Sequence, residues 1–276
     1  MFARETTTNS ALTDTQVHIP LVAPADVGSD RFKRSCDVAL CVAMCLPVMA
    51  IIGLIWLAVR STSAGPGFYS QTRVGRYGRH YRIYKIRTMS HNCELTSGAR
   101  WCLLQRDPRV TRLGRILRKL HLDELPQIWN VLRGDMSLVG PRPERPEFVE
   151  PLSEAIPGYD ERHRVRPGVT GLAQIQLPAD TDVESVRTKL VLDRHYIDNR
   201  SLWLDVRILF GTLVYLSGFS YASVRRVMRL PYPLEDVTEA GNRPKSASSV
   251  IGSVPATRPA KRPSKPDQDP VSCGKA

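Results

Sequence analysis

The chain has 276 residues and a formal net charge of +12; 42% of its residues are hydrophobic and 24% are charged. This composition excludes a largely disordered chain, because enough apolar side chains are present to build one good-sized core with appendages. The positive charge favours an anionic partner, such as nucleic acid, an acidic membrane surface or phosphorylated small molecules. The six cysteines form no C-x-x-C pair and the six histidines are scattered, so we expect neither a disulfide framework nor a zinc site.

Both ends of the chain differ in composition from its middle. Residues 1–30 are polar and Thr-rich without helical periodicity, and residues 234–276 are rich in Pro, Ser, Lys and Arg. Such segments bury too little apolar surface to fold alone, so we predict a disordered N-terminus and a disordered basic tail. Between them we predict a membrane helix over 31–60 and a folded domain over 61–233.

An uncharged segment runs from Val38 to Val59 and directly follows a basic cluster at residues 31–34. As a straight helix it would reach about 33 Å, which is enough to cross a bilayer. Pro47 near its middle removes a backbone hydrogen bond and is expected to bend the helix. Basic residues also follow the segment, and because positive charge marks the cytoplasmic side, both ends are expected there. This pattern favours a re-entrant helix; a spanning helix and a buried core helix are the alternatives.

Downstream of this helix, the pattern predicts a small β-hairpin followed by helices. The hairpin covers residues 68–87, and its return strand places Lys85 and Arg87 on one face. Apolar residues at helical spacing predict helical regions over 107–134, 147–164 and 183–217. The last region is too charged to cross a membrane but has the spacing of an interfacial helix. The predicted fold class is therefore α+β and predominantly helical.

Two adjacent carboxylates, Asp123 and Glu124, precede Pro126 in the segment LDELPQIWNVLRG at 122–134. Proline lacks an N–H and is tolerated only in the first turn of a helix, so Pro126 predicts a helix start near 122–124. The carboxylates would then lie at a helix N-terminus, where free N–H groups form an anion site. Taken alone, such a pair more commonly indicates simple N-terminal capping.

Basic residues surround this carboxylate pair in the sequence. Four arginines recur every third residue at positions 109, 112, 115 and 118, and helical geometry places them roughly on one face. Such a stripe is commonly a solvated face, but this one leads directly into the carboxylates. Further basic residues occur in short segments marked by Gly and Pro: Lys85, Arg87, Arg142, Arg162 and Arg166. Acids among many bases suit a site that binds Mg²⁺ together with phosphates held by arginines.

At these residues the chain resembles the bacterial sugar transferase family, the small monotopic phosphoglycosyl transferases that initiate exopolysaccharide, capsule and glycan assembly. The resemblance covers roughly residues 31–217 and rests on many motifs in one order rather than on any single motif. The motifs are RSCD (34–37), GP (65–66), QTRVG (71–75), YKIRTM (84–89), DPRVTRLG (107–114), LDELPQ (122–127), GDMSLVGPRP (134–143), RPGVTGLAQ (166–174) and the stretch 189–213.

The resemblance implies a monotopic protein of the bacterial inner (cytoplasmic) membrane, with a re-entrant helix broken at Pro47 and a catalytic domain facing the cytoplasm. The family often has Ser before this proline; here Leu46 occupies that place, so the break rests on Pro47 alone.

The resemblance also implies roles for the charged residues. Asp123 is expected to be the catalytic nucleophile, and Asp123 and Glu124 together are expected to hold Mg²⁺. The arginines expected to bind phosphate are Arg118, Arg142 and Arg162, and the basic pair Lys85 and Arg87 completes the candidate substrate-binding set.

In the implied reaction, Asp123 attacks the β-phosphorus of a UDP-sugar and releases UMP; polyprenyl (undecaprenyl) phosphate then takes the phosphosugar from the enzyme. The expected partners are thus a UDP-sugar donor, a polyprenyl phosphate acceptor and membrane lipid. Nucleic acid is not expected, since no nucleic-acid-binding motif is visible. Two alternatives stay open: direct Mg²⁺-dependent transfer with Asp123 as a metal ligand only, and a basic membrane-surface adaptor without catalysis.

Overall fold

The computed structural model describes residues 27–91, 93 and 107–232. The predicted basic tail and residues 1–26 of the predicted disordered N-terminus lie outside the described residues. The predicted boundary at residue 31 is too late, because the first helix, α1, already begins at Val27. Asp30 in its first turn pairs with Arg76 at 2.7 Å and with Arg166 at 3.2 Å, and these ion pairs order the start of the helix.

Helix α1, Val27–Thr62, contains the whole apolar segment and continues through Pro47. The helix therefore continues through Pro47, where one backbone hydrogen bond is missing while the flanking turns stay paired; a bend at this position stays a prediction. Among the described residues, α1 is the one helix long and apolar enough to cross a membrane. Many of its large side chains are exposed: Leu46 by 85% and Leu54 by 71%. The helix thus presents a broad apolar surface.

The opposite side of α1 packs against the rest of the protein. The buried side chains on this side recur at helical spacing over most of the helix: Cys41, Val48, Ile52 and Val59. Both ends are also tied down. Near the start, Lys33 Nζ lies 2.7 Å from Asp205 Oδ2, and near the end Val59 is buried in a cluster with Ile86 and Leu117. The two ends of α1 therefore contact one and the same folded domain.

The predicted hairpin is confirmed. Strands β1, Phe68–Val74, and β2, His80–Ile86, pair antiparallel with Tyr69 opposite Lys85. A short 3₁₀ turn at Arg76–Gly78 joins them. In β2, Ile83 is buried in a cluster with Cys41 of α1, and Ile86 is buried in a cluster with Val48 and Ile52 of the same helix.

The predicted helical region 107–134 is divided in two. Helices α2, Arg112–Lys119, and α3, Gln127–Arg133, are separated by a 3₁₀ turn at Leu122–Glu124, named here the acidic turn. The interruption follows from His121, whose φ of 53° lies in the left-handed region that a continuous right-handed helix does not use.

The start of α3 also differs from the prediction. Pro126 is the N-cap residue, and the helix itself begins at Gln127 rather than near 122–124. Asp123 and Glu124 therefore precede the helix in the acidic turn and do not occupy its first turn. At the other end, Gly134 caps α3 with a φ of 92°, as expected for a glycine after a helix.

Two short strands that the sequence analysis missed pair in parallel. They are β3, Ser137–Val139, and β4, Gly168–Thr170. Three residues are too few for an alternating pattern to be visible in a sequence. Next to this pair, Gly140 and Gly168 approach so closely that a Cβ on Gly168 would collide with the Gly140 backbone. The pairing fixes the GPRP segment, residues 140–143, against the start of β4.

The remaining helices are shorter than predicted. Region 147–164 forms α4, Pro146–Ala155, and a 3₁₀ turn, Tyr159–Arg164. Region 183–217 forms α5, Val183–Asp198, and α6, Leu202–Leu216, and α7, Tyr221–Met228, follows. New helices start where side chains cap free N–H groups, as Asp182 and Ser201 do for α5 and α6. The largest core cluster joins these C-terminal helices to β3; it includes Val139, Leu192, Tyr196, Ile208 and Val224.

The close approach of β3 and β4 is testable. We predict that Gly168→Ala lowers the free energy of unfolding by about 1–3 kcal/mol, because the added methyl group meets backbone atoms that have no room to move. Urea unfolding of the detergent-solubilised protein measures this. Gly53→Ala is the matched control, since a Cβ on Gly53 meets nothing within 4 Å. A wild-type midpoint for Gly168→Ala would contradict the strand pairing.

Candidate active site

The acidic turn buries both of its carboxylates. Asp123 is 7% exposed and Glu124 is 8% exposed. The turn lies between the left-handed residue His121 and the N-cap Pro126. Buried carboxylates are costly unless charges or hydrogen bonds compensate them, so their partners define the site.

Glu124 lies between two cations. Its Oε1 accepts hydrogen bonds from Lys85 Nζ at 2.7 Å and from Arg142 Nη2 at 2.9 Å. Burial alone would raise the pKa of Glu124, but the charges of Arg142 and Lys85 outweigh it and hold that pKa well below its usual range. Glu124 is therefore a permanent carboxylate. Both bonds go to Oε1, and neither uses Oε2.

The pKa of Asp123 is shifted in the opposite direction, upward from its usual value. Burial raises its pKa and the neighbouring charge of Glu124 raises it further, while Lys85, Arg118 and His121 act in the opposite direction. The carboxylate thus lies within the field of several cations, but within the described part of the chain no cation donates a hydrogen bond to it as Lys85 and Arg142 do to Glu124. A buried carboxylate that is close to cations and loosely held suits a reacting group better than a structural one.

Lys85 reaches the site from the hairpin, and a buried amide sets its position. Asn130 on α3 donates from Nδ2 to the carbonyl oxygen of Arg82 at 2.7 Å, and its Oδ1 accepts from the N–H of Tyr84 at 3.2 Å. These bonds dock β2 on α3 one residue before Lys85. Asn130 is fully buried. The sequence analysis missed this residue, because helical spacing places Asn130 away from the apolar face formed by Leu125, Ile128 and Leu132.

Arg118 and Arg87 approach different parts of the molecule. Arg118 donates from Nε to Thr88 Oγ1 at 2.8 Å and lies near enough to affect Asp123. Arg87 instead donates to the carbonyl oxygens of Ser63 and Ala64, so it fastens the end of α1 to β2. The structure brings Arg118 to the acidic turn and directs Arg87 to the α1–β1 connection.

Arg162 is buried behind Arg142. Its guanidinium donates to Asp193 Oδ2 and to the carbonyl oxygen of Arg142, each at 2.9 Å, and to the hydroxyl of Tyr159 at 2.7 Å. Arg162 is only 7% exposed, whereas the Arg142 side chain is 40% exposed. Of the two, Arg142 is therefore the more accessible from solvent.

The predicted arginine stripe does not act as a unit. Arg109 precedes α2 and pairs with Asp107 at 2.6 Å, and Arg112 and Arg115 are exposed. Of the four, Arg118 alone is near the carboxylates. The stripe was predicted from a continuous helix, which the structure replaces with a shorter one that begins at Arg112.

Among the described residues, no group of three or more His, Cys, Asp or Glu side chains forms a metal cluster. A Mg²⁺ ion does not require such a cluster, because one or two carboxylates are commonly completed by water and substrate phosphates. Asp123 and Glu124 supply hard oxygen ligands of that kind. The residues present therefore fit a magnesium ion that binds together with a phosphorylated substrate.

Comparison with known proteins agrees with this geometry. The model of a family described as bacterial sugar transferase matches residues 28–218, which is well over half of the chain. The chain belongs to the bacterial sugar transferase family. The matched region contains the acidic turn, the hairpin with Lys85, and the segment that carries Arg142.

Two relatives have the same percentage of sequence identity to the chain but are named for different sugars. The chain is 44% identical over 189 residues to UDP-N-acetylgalactosamine-undecaprenyl-phosphate N-acetylgalactosaminephosphotransferase of Aeromonas hydrophila, covering 68% of this chain and 44% of the relative. It is 44% identical over 193 residues to UDP-glucose:undecaprenyl-phosphate glucose-1-phosphate transferase of Caulobacter vibrioides, covering 68% and 70%. Identity of this degree does not assign a sugar.

The chain is also 39% identical over 200 residues to the UDP-glucose:undecaprenyl-phosphate glucose-1-phosphate transferase of Escherichia coli K12. The match covers 71% of this chain and 42% of the relative. The chain thus spans less than half the length of the Aeromonas and Escherichia relatives.

Proposed function

We propose that this protein transfers a sugar 1-phosphate from a UDP-sugar to polyprenyl (undecaprenyl) phosphate and releases UMP, as the first membrane step of exopolysaccharide, capsule or glycan synthesis. The observation that carries the proposal is the buried pair Asp123 and Glu124, with Lys85, Arg118 and Arg142 around it. Such a site suits phosphoryl transfer, because fixed cations offset the charge of a diphosphate during displacement.

In the proposed mechanism, a carboxylate oxygen of Asp123 attacks the β-phosphorus of the donor. The bond between this phosphorus and the bridging oxygen breaks, and UMP leaves with that oxygen and its electron pair. The phosphosugar stays on Asp123 as an acyl phosphate. An oxygen of polyprenyl phosphate then attacks the same phosphorus and displaces the Asp123 carboxylate, which restores the enzyme. Covalent catalysis of this kind divides one displacement between two anions into two easier steps.

The other charged side chains have separate roles. Glu124 stays ionised between Lys85 and Arg142, so it fixes the position of both cations beside Asp123. Arg142 and Arg118 then bind phosphate oxygens of the donor, for which a guanidinium offers paired donors. Asp123 and Glu124 would hold Mg²⁺, which when bound supplies positive charge against the diphosphate.

We further propose that α1 is re-entrant and places the domain on the cytoplasmic face of the bacterial inner membrane. Two observations support this path. Lys33 and Val59, near opposite ends of α1, contact the same folded domain, as expected if both ends of the helix lie on one side of the membrane. In addition, exposed apolar side chains recur on α6 at helical spacing and add a second surface for lipid: Trp203, Val206, Phe210 and Leu213.

The proposed function first predicts how UMP release depends on Mg²⁺ and on the arginines. Membranes containing the protein should release UMP from a UDP-sugar only when Mg²⁺ is present, and a panel of UDP-sugars will identify the donor. Arg118→Ala and Arg142→Ala should each lower the rate of UMP release by about 30- to 1,000-fold, because each removes a charge-assisted contact to phosphate. Arg115→Ala is the matched control on the same helix as Arg118 and should keep the wild-type rate, since its side chain is exposed.

An adaptor without catalysis would release no UMP from any donor, with or without Mg²⁺. Wild-type rates in both Arg118→Ala and Arg142→Ala would show that these side chains do not bind the diphosphate.

The proposed re-entrant path of α1 predicts the membrane topology of both chain ends. In a variant without the native cysteines, single cysteines introduced at Ser10 and Ser253 should both resist an impermeant thiol reagent added to intact cells and react after lysis. Both ends are then cytoplasmic, as a re-entrant helix requires. Labelling of the Ser10→Cys probe alone in intact cells would instead establish a spanning helix.

A further inference from the structure

The segment that carries Arg142 has an unusual hydrogen-bonding requirement. Arg142 lies between Pro141 and Pro143, and neither proline has an N–H to donate. Hydrogen bonds that hold the backbone of this segment in place therefore go mainly to its carbonyl oxygens, which accept them from donors elsewhere in the fold. Pro141 and Pro143 are buried, so water is not a ready substitute.

Four consecutive carbonyl oxygens receive such donors. The N–H of Gly168 donates to Pro141 at 2.9 Å, and the N–H of Val74 donates to Glu144 at 2.9 Å. The two carbonyl groups between them are bound by side chains rather than by backbone. Arg162 Nη2 donates to the oxygen of Arg142 at 2.9 Å, and Arg73 Nη1 donates to the oxygen of Pro143 at 3.0 Å.

Both arginines are themselves fixed. Arg162 pairs with Asp193 on α5 at 2.9 Å and bonds the hydroxyl of Tyr159 at 2.7 Å. Arg73 on β1 donates to Gln71 Oε1 at 2.9 Å. The guanidinium groups thus link the Arg142 backbone to two separate elements, the hairpin and helix α5.

We propose that Arg162, with Arg73, is a positioning residue that holds the Arg142 backbone so that the Arg142 side chain stays on Glu124 and faces the donor phosphate. This inference rests on the proposed function of the site. It gives Arg162 a role different from phosphate binding, because its guanidinium is buried and directed at the protein backbone. The rotation of one buried guanidinium would shift the Arg142 backbone and with it the 2.9 Å contact to Glu124.

A double-mutant cycle tests the proposal. Arg162→Lys keeps the charge beside the buried Asp193, so the fold is retained better than in an alanine variant, but it loses the forked donor geometry. With Arg142 present, Arg162→Lys should lower kcat/KM for UMP release by about 10-fold or more. In the Arg142→Ala background the same change should cost less than about 2-fold, because the side chain that it positions is gone.

Arg194→Lys is the matched control. Arg194 on α5 also donates to a backbone carbonyl, that of Pro157 at 3.2 Å, and to a carboxylate, Glu161 at 3.1 Å, but not to the GPRP segment. It should leave kcat/KM unchanged in both backgrounds. If Arg162→Lys costs the same factor with and without Arg142, Arg162 acts independently on the substrate and the positioning role is wrong.

Backbone amide exchange gives a readout that needs no turnover. Arg162→Lys should speed the exchange of the Gly168 and Val74 amides, whose N–H groups donate to the carbonyl oxygens of Pro141 and Glu144, and Arg194→Lys should not. Unchanged exchange at both amides would overturn the proposal. A wild-type protein that releases no UMP would refute the proposed function, and the exchange result would still decide whether Arg162 holds the segment.

Discussion

The contact between Glu124 Oε1 and its two cations is the interaction on which the rest of the site depends. Lys85 comes from the hairpin and Arg142 from the GPRP segment, so one carboxylate oxygen joins three parts of the chain. Removing a partner from such a buried group would leave an uncompensated charge, which is far more costly than leaving a surface ion pair unmade. The positions of the hairpin, the acidic turn and the GPRP segment are therefore set together.

Neighbouring elements of the fold position the residues that form this contact. Asn130 docks β2 on α3 and so delivers Lys85. The parallel pair of β3 and β4 places Gly140 against Gly168, two residues before Arg142, whose side chain reaches Glu124. Among the described residues, the ion pairs of Lys85 and Arg142 at this site go to Glu124 and not to Asp123. One fixed carboxylate beside one that is available is the arrangement that the proposed covalent step needs.

Sequence reasoning predicted the features that depend on local patterns. The hairpin between Phe68 and Ile86, the apolar helix and the charged pair Asp123 and Glu124 all follow from periodicity, composition or adjacent residues. The family follows from motif order, and its model match agrees. Local patterns failed where a single residue changed the path of the chain: the left-handed His121 divided a predicted helix, and Pro126 marked the boundary of α3 instead of its first turn.

Long-range contacts could not be predicted in the same way. The strands β3 and β4 are three residues each and pair across a gap of about thirty residues, so no pattern within either strand reveals them. The charge of Arg162 was visible, but its direction was set by Asp193 and by the Arg142 carbonyl, both distant in sequence. Whether an arginine meets a substrate or a carbonyl group is decided by packing, which composition and spacing do not encode.

The central claim is that Asp123 forms a covalent bond to the phosphosugar, and a single-turnover experiment tests it most directly. The enzyme is incubated with a UDP-sugar labelled in the β-phosphate, without polyprenyl phosphate. The account predicts UMP release of at most one equivalent per enzyme, with label on a peptide that contains Asp123 and is lost on treatment with hydroxylamine, as acyl phosphates are. Asp123→Asn should show neither label nor UMP release. An active enzyme that carries no label and releases UMP only after acceptor is added would contradict the claim and reduce Asp123 to a metal ligand.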